Sequence, residues 1–418
     1  MLYTDRCASL RAGRFVSAII DGMRVTIAGA GIGGLTAALS LAAAGHDVTV
    51  YESTRELKPL GVGINLLPHA AEVLQRLGVL EPIVERGVTT RELIYFNKFG
   101  QQIWREPRGI EAGFPVPQIS IHRGVLQMTL AEAARDRVRV VMDRRLVHLE
   151  ESGRAHFESR DGGTFIVDAD VTVAADGIHS AARRQFHPDE GPPRYSGRLM
   201  WRGVTRAKPF LSGATMIMAG HPALKFVAYP IETVALDGTQ LINWIAELPR
   251  PAMLERESWS REGHFEDFAP AFATWKFDWL DVPALIAGAT AAFEFPMVDR
   301  DPLPAWTHGR VTLLGDAAHP MYPVGSNGAS QAILDSDALV AALNQHDVDD
   351  ALKHYEQQRL PATAAIVLLN RQNGPEQCMQ WAEERAPNGF DDIEAVIPRV
   401  ELEALAARYR RAVGLNKR

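Results

Sequence analysis

Apolar positions along this chain follow two different spacings, and the change between them predicts the architecture. Near the start a β-branched run, Val25-Thr26-Ile27-Ala28, leads into Gly29-Ala30-Gly31-Ile32-Gly33-Gly34, and an alanine- and leucine-rich stretch over 35–44 then suits a helix. Gly45 ends that helix as a C-terminal cap would, and a second alternating run, Asp47-Val48-Thr49-Val50-Tyr51, closes on Glu52. The pattern predicts strand, helix and strand in succession. From about 191 to 295 the texture changes to strand-like runs over 199–204, 215–218, 225–229 and 241–245, separated by Gly and Pro, which predict a β-sheet. Beyond 373 the chain reads as charged helices without motifs.

The first glycine cluster sits where a dinucleotide fingerprint requires it, between a strand and a helix, with an acid about 20 residues on. In this reading Gly29 makes the tight turn, Gly31 lets backbone approach a pyrophosphate, and Gly34 lets helix and sheet pack closely. Ile32 and Gly33 open the helix, whose first amides face the phosphates. Glu52 is placed to accept hydrogen bonds from a ribose. The fingerprint alone does not separate NAD from FAD.

Three later segments bear on that choice: Ser120-Ile121-His122-Arg123-Gly124-Val125-Leu126-Gln127, Val173-Ala174-Ala175-Asp176-Gly177-Ile178-His179-Ser180, and Gly315-Asp316-Ala317-Ala318-His319-Pro320. In this order they resemble the FAD-contacting segments of the class A flavoprotein monooxygenases, the aromatic hydroxylases. Segments 60–65, 200–205, 296–302 and 328–335 extend the resemblance over residues 23 to about 371, most nearly to the phenazine-pathway hydroxylases that act on 5-methylphenazine-1-carboxylate; it weakens around 220–224.

The resemblance implies an α/β fold: a Rossmann-like FAD-binding domain with an inserted β-sheet substrate domain and C-terminal helices, as in para-hydroxybenzoate hydroxylase. It divides the chain into an extension (1–22), FAD-binding segments (23–98, 121–190, 296–372), substrate-domain segments (99–120, 191–295) and C-terminal helices (373–418). It puts Asp316 on the ribityl chain, delivered by the strand over 310–314 and exposed by the turn at Gly315. Arg123, Gln127, Asp176 and Gly177 become FAD contacts. The strand around Gly63 passes the isoalloxazine with Asn65 at the ring, and Gly328 and Ala329 open a helix whose amides meet the pyrimidine. Pro323 and Gly325 shape the oxygen side. Trp201, Tyr229 and Trp244 are candidate walls for a flat ring and Arg202 a candidate partner for a carboxylate, whereas Lys225 reads as a surface ion pair.

The implied function is hydroxylation of an aromatic or heteroaromatic, phenazine-like substrate. NADH or NADPH serves as transient reductant and O2 as oxidant, through a flavin C4a-hydroperoxide, with decarboxylation where the attacked carbon bears a carboxylate. Another oxidase or reductase on the same fold, and a non-catalytic flavin-binding regulator, are the alternatives that the motifs leave open.

Composition narrows the partners. Of 418 residues, 46% are hydrophobic and 23% charged, enough to bury a large core, and a net charge of -7 argues against a nucleic-acid footprint. Two cysteines, Cys7 and Cys378, give neither a disulfide framework nor a metal motif, and no metal site is expected. The expected setting is cytoplasmic, without a membrane span, as a monomer or homodimer.

Overall fold

The structure is a computed structural model that describes residues 22–251 and 261–415. The expected N-terminal extension, with Cys7, lies outside the described residues apart from Gly22.

Short β-branched runs build a six-stranded sheet in the order Thr307–His308, Val311–Leu313, Val171–Ala174, Arg24–Ala28, Asp47–Tyr51 and Arg139–Val141. All neighbours are parallel except the first pair. Strands covered on both faces need apolar residues at every position, and Val171–Ala174 is buried throughout. The helices Ile32–Ala43 and Gly328–Leu343 pack against each other and share one core with Ile27, Val50, Val173 and Leu313. From Arg24–Ala28 the chain turns to Asp47–Tyr51 on one side, while Val171–Ala174 occupies the other. Such a reversal opens a crevice at the carboxyl ends of the strands.

The inserted sheet has eight strands, running from Glu262–Gly263 through Ala292–Asp299, Arg194–Ala207, Gln240–Pro249, Leu224–Pro230 and Thr215–His221 to Glu92–Phe96 and Gln102–Pro107. Glu92–Phe96 pairs in parallel with Thr215–His221, so the boundary expected after residue 98 falls on the wrong side of this strand. All of its residues are buried, and the large sheet supplies the cover they need.

The two faces of this sheet differ in chemistry. One carries Trp201, Trp244 and Phe226 into an aromatic cluster with Phe268 and Phe272, beside the helix Val282–Ala287. On the other, Met216, Met218, Val227 and Tyr229 share a core with Cys378, Met379, Leu402 and Leu405 of the C-terminal helices, which thus cover part of it.

Lys225 departs from the surface reading. It is 4% exposed, and its ammonium lies 2.7 Å from both Glu247 and Glu376. Glu376 is 151 residues away, a partner that local pattern does not reveal. Because Arg198 also pairs with Glu247, the lysine is the cation that neutralises Glu376. Replacing it by Met should leave a buried carboxylate uncompensated and cost roughly 3 kcal/mol, read as a lower midpoint in chemical denaturation.

Candidate functional site

Parallel pairing gathers the distant motifs. Ala28 sits opposite Tyr51 on one side and Ala174 on the other, and Ala174 opposite Leu313, so the strands end together. Each end delivers its motif to the same edge: Gly29, Glu52, Asp176 and Gly315-Asp316. Next to this edge lies a cleft of about 600 Å³ whose lining includes Gly29, Gly31, Glu52, Arg123, Gln127 and Asp176.

The glycines of the first motif differ in what surrounds them. At Gly29, φ is +105°, and a side chain would run into the carbonyl of Ala175. A side chain on Gly34 would meet the carbonyl of Gly29, so the helix approaches the strand as closely as the notional packing role requires. Nothing lies within 4 Å of a Cβ built on Gly31, which leaves that backbone open to the cleft. Gly33 packs under Leu314 and Ala332 instead, on the side of the helix Gly328–Leu343, and Ile32 is buried in the core.

Glu52 accepts from the amides of Ala30 at 2.8 Å and Thr54 at 2.9 Å, so it braces the glycine loop as well as lining the cleft. Gln127 donates to the carbonyl of Ala30 at 2.7 Å from the opposite wall. Asp176 accepts from the amide of Ala181 at 2.7 Å, at the start of Ala181–Phe186, and burial raises its pKa. Gly177, at φ +79°, turns the chain beside it.

Asp316 stands on a turn held from both sides. Gly315 is left-handed, with φ +63°, and its amide donates to Asp335 at 3.1 Å. The fully buried Asp335 also pairs with His319 at 2.6 Å and Arg359 at 2.7 Å. Although burial opposes its ionisation, its interactions with His319 and Arg359 prevail and hold its pKa at about 2. From the other side Arg183, 1% exposed, donates to the carbonyls of Ala317 at 3.1 Å and Ala318 at 2.7 Å. Arg183 and His319 are therefore supports of this turn.

Asp316 itself is exposed on this turn. It takes no hydrogen bond from any described residue, and desolvation raises its pKa while His319 and Arg123 favour its charged form. A Cβ on Gly328 would sit 3.9 Å from its Oδ1, so the N-terminus of Gly328–Leu343 adjoins it. No side chain caps that helix. Pro323 is exposed and Gly325 partly so on the loop before it, with Ala329 partly buried in the first turn.

On the substrate side the structure divides the expected residues. Trp201 and Trp244 belong to the aromatic core of the far face, where their indole N–H groups donate to Glu294 at 3.1 Å and to Thr205 at 3.0 Å. They are corrected from pocket walls to core. The cause is the two-residue period of a strand: Arg202 and Asn243, one position along, face the other way. Arg202 donates to the carbonyl of Gly63 at 2.8 Å and hydrogen-bonds Tyr229, while Asn243 accepts from the amide of Gly63 at 2.7 Å. Asn65 is buried, its Oδ1 accepting from Ser120 at 2.6 Å, which ties its acceptor into the small sheet of Gly63–Leu66, Gln118–His122 and Val88–Thr90.

Sequence reasoning missed Asn243 and the apolar wall. Met200, Phe295, Met297, Tyr322 and Val324 form one cluster, with Ile245 and Phe293 packed against it, between the sheet and the loop ahead of Gly328–Leu343. Arg202 sits 5.3 Å from the Phe295 ring centroid. Alternation counted outward from Arg202 would have selected Met200 and Val204 on its own strand; Asn243 and Phe293 needed the pairings Val204–Asn243 and Arg202–Phe293. Two donors here lack partners, Nε of Arg202 and Nδ2 of Asn243, and among the described residues no carboxylate pairs with Arg202. Burial and Arg123 both lower its pKa, and Tyr229 opposes them.

These features suit FAD: an open glycine backbone for a pyrophosphate, a free carboxylate for sugar hydroxyls, and an uncapped helix for an electron-rich ring edge. No group of three or more His, Cys, Asp or Glu residues suited to a metal occurs among the described residues, and no helix among them is long and apolar enough to cross a membrane.

Residues 22–369 match the family model described as an FAD binding domain. The chain is 48% identical over 363 residues to a phenazine 1,6-dicarboxylic acid hydroxylase, PhzS, of Lysobacter antibioticus, covering 83% of this chain and 89% of that protein. It is 35% identical to the 3-amino-4-hydroxybenzoate 2-monooxygenase PtnB3 of Streptomyces platensis, covering 84% and 88%. In fold it is similar to a salicylate hydroxylase in a substrate complex, with a TM-score of 0.70 at 22% identity over 94% of this chain and 98% of the other.

Asp335 provides a test of how the Gly315-Asp316 turn is held. Its folded pKa lies below the ordinary 3.8, so its contribution of about 2 kcal/mol is fully present above pH ~4 and is lost as pH falls through about 2. Asp335→Asn should lower stability at pH 7 and flatten the acid limb of a stability–pH curve between those limits; an unchanged limb would show that the carboxylate is not the group titrating there.

Proposed function

This chain belongs to the FAD-dependent aromatic hydroxylases, and from that premise we propose that its substrate is a carboxylate-bearing aromatic or heteroaromatic ring of the phenazine carboxylate class. The observation that carries the reading is the partnerless donor pair, Arg202 and Asn243, beside the wall of Phe293, Phe295 and Ile245. A buried guanidinium without a counter-charge favours an anion, and the aromatic wall favours a flat ring. The similarity to the phenazine 1,6-dicarboxylic acid hydroxylase supports the same class.

FAD, reduced by NADH or NADPH, supplies the activation of O2 from which one oxygen atom reaches the ring. The chain's part is placement. Asp316 holds the ribityl hydroxyls and Arg123 the phosphate or ribityl region. Gly29 and Gly31 carry the pyrophosphate, Gly33 and Gly34 let the helix pack behind them, and Glu52, Gln127, Asp176, Gly177 and Gly63 lie around the rest of the cofactor. Gly328 and Ala329 turn amides toward the pyrimidine, and Pro323 and Gly325 bound the oxygen side. Arg202 grips the carboxylate, and Tyr229, bonded to Arg202, presents its hydroxyl to the ring. The apolar cluster around Phe295 keeps water from the reacting carbon. Where that carbon bears the carboxyl group, hydroxylation releases it as CO2.

Three measurements test this. The purified protein should show a flavin spectrum and oxidise NADH or NADPH faster with phenazine carboxylates than with their decarboxylated parents, with label from 18O2 in the product. Stimulation without incorporated oxygen would favour the oxidase reading. Asp316→Ala should remain folded yet lose FAD on gel filtration. Arg202→Met should keep FAD but raise the KM for a carboxylated substrate on the order of tenfold or more, the scale of a charge-assisted hydrogen bond, with much less effect on an uncharged ring.

A further inference from the structure

The loop between Tyr322 and Asn327 is held by the far end of the chain. Gly325 and Ser326 are both left-handed, with φ of 67° and 59°, a conformation that costs a serine free energy and persists only where the surroundings enforce it. Tyr409, on the C-terminal helix Arg399–Ala412, supplies that enforcement. A side chain on Gly325 would collide with its hydroxyl, and one on Gly374 would meet its ring at 2.9 Å, so the phenol is wedged between two left-handed glycines. The hydroxyl donates toward the carbonyl of Val324 at 3.1 Å and toward Oδ1 of Asn370 at 3.3 Å. Asn370 in turn donates to the carbonyl of Tyr322 at 3.1 Å. Burial keeps the phenol protonated.

Asn327 is the residue on which this bears most. It occupies the N-cap position of Gly328–Leu343, but with a helical backbone (φ -89°, ψ -31°) rather than the extended one from which an asparagine folds its side-chain oxygen onto the first free amides. Its Nδ2 donates to the Tyr409 hydroxyl at 2.6 Å and to the carbonyl of Gly325 at 3.3 Å, while its Oδ1 is buried without a partner.

We propose that Tyr409 is a positioning residue for the flavin: by drawing Asn327 away from the helix end, it leaves the amides of Gly328–Leu343 free for the electron-rich edge of the cofactor. The C-terminal helix therefore acts on the flavin through the loop that Tyr409 holds. This rests on the flavin placement proposed above.

The test is Tyr409→Phe, which keeps the ring between the two glycines and removes only the hydroxyl, measured in the FAD-loaded enzyme. Released Asn327 caps the helix and competes with the flavin. The reduction potential of bound FAD should then move negative, because the reduced, anionic ring loses most, and FAD should dissociate roughly threefold more readily, the scale of a helix-terminal charge interaction. A lower melting temperature is expected of any lost buried hydroxyl and decides nothing alone. The decisive comparison repeats Tyr409→Phe in an Asn327→Ala background, where no cap exists to be released and the shift in potential should vanish. An unmoved potential in the single variant, or an equal shift in both backgrounds, would overturn the proposal. Retention of flavin by Asp316→Ala would instead fault the placement of the cofactor.

Discussion

One ionised carboxylate buried beneath the cleft, that of Asp335, sets the geometry on which the site depends. It is bonded to the amide of Gly315, to His319 and to Arg359. A charge so deep is tolerated only where its lone pairs meet donors, and here the Arg359 guanidinium, the His319 ring and a backbone amide meet them. The result is a left-handed turn that presents Asp316 outward with no protein partner of its own. Arg183 clamps the carbonyl side of the same turn, so amide and carbonyl ends are fixed by groups from different helices. The role proposed for Asp316, binding sugar hydroxyls, calls for a rigid carboxylate that needs little further ordering, and this double clamp holds its turn.

The dinucleotide half of the molecule was legible in the chain because its signals are local. Each glycine requirement, the strand before it and the acid after it fall within about thirty residues, and Gly29, Gly31 and Gly34 meet the surroundings their roles demand. The order of the three motif segments pointed to the FAD-binding family whose model residues 22–369 match. What the chain did not disclose was the phase of the large sheet. Trp201 and Arg202 are neighbours in sequence, and nothing between residues 199 and 204 says which of the two faces the cleft. Trp201 and Trp244 were therefore placed on the wrong side, while Tyr229 does lie beside Arg202, and the apolar wall around Phe295 went unnoticed because its members come from separate strands and a loop. Lys225 failed for a related reason: Glu376 lies on a segment that local pattern leaves unconnected to it.

Gly63 shows how the two halves are joined. Its amide donates to Asn243 and its carbonyl accepts from Arg202, so both polar groups of one residue in the nucleotide-binding half are satisfied by the inserted sheet. A side chain there would strike Asn243 and Tyr229. The two residues that register the sheet against the cofactor strand are also the ones with unspent donors toward the substrate side. In the proposed placement of flavin and substrate, binding at those donors is coupled to the alignment of the Gly63 strand.

The alternation along the large sheet separates two burdens that other architectures place on the same residues. On the strand Arg194–Ala207, odd positions such as Trp201 maintain the far core, and even positions such as Met200 and Arg202 face the side of Gly63 and the apolar wall. A substitution at Met200 acts on the apolar wall without touching the aromatic cluster, whereas one at Arg202 also releases the carbonyl of Gly63, so on this face recognition and folding are separable at some positions and joined at others.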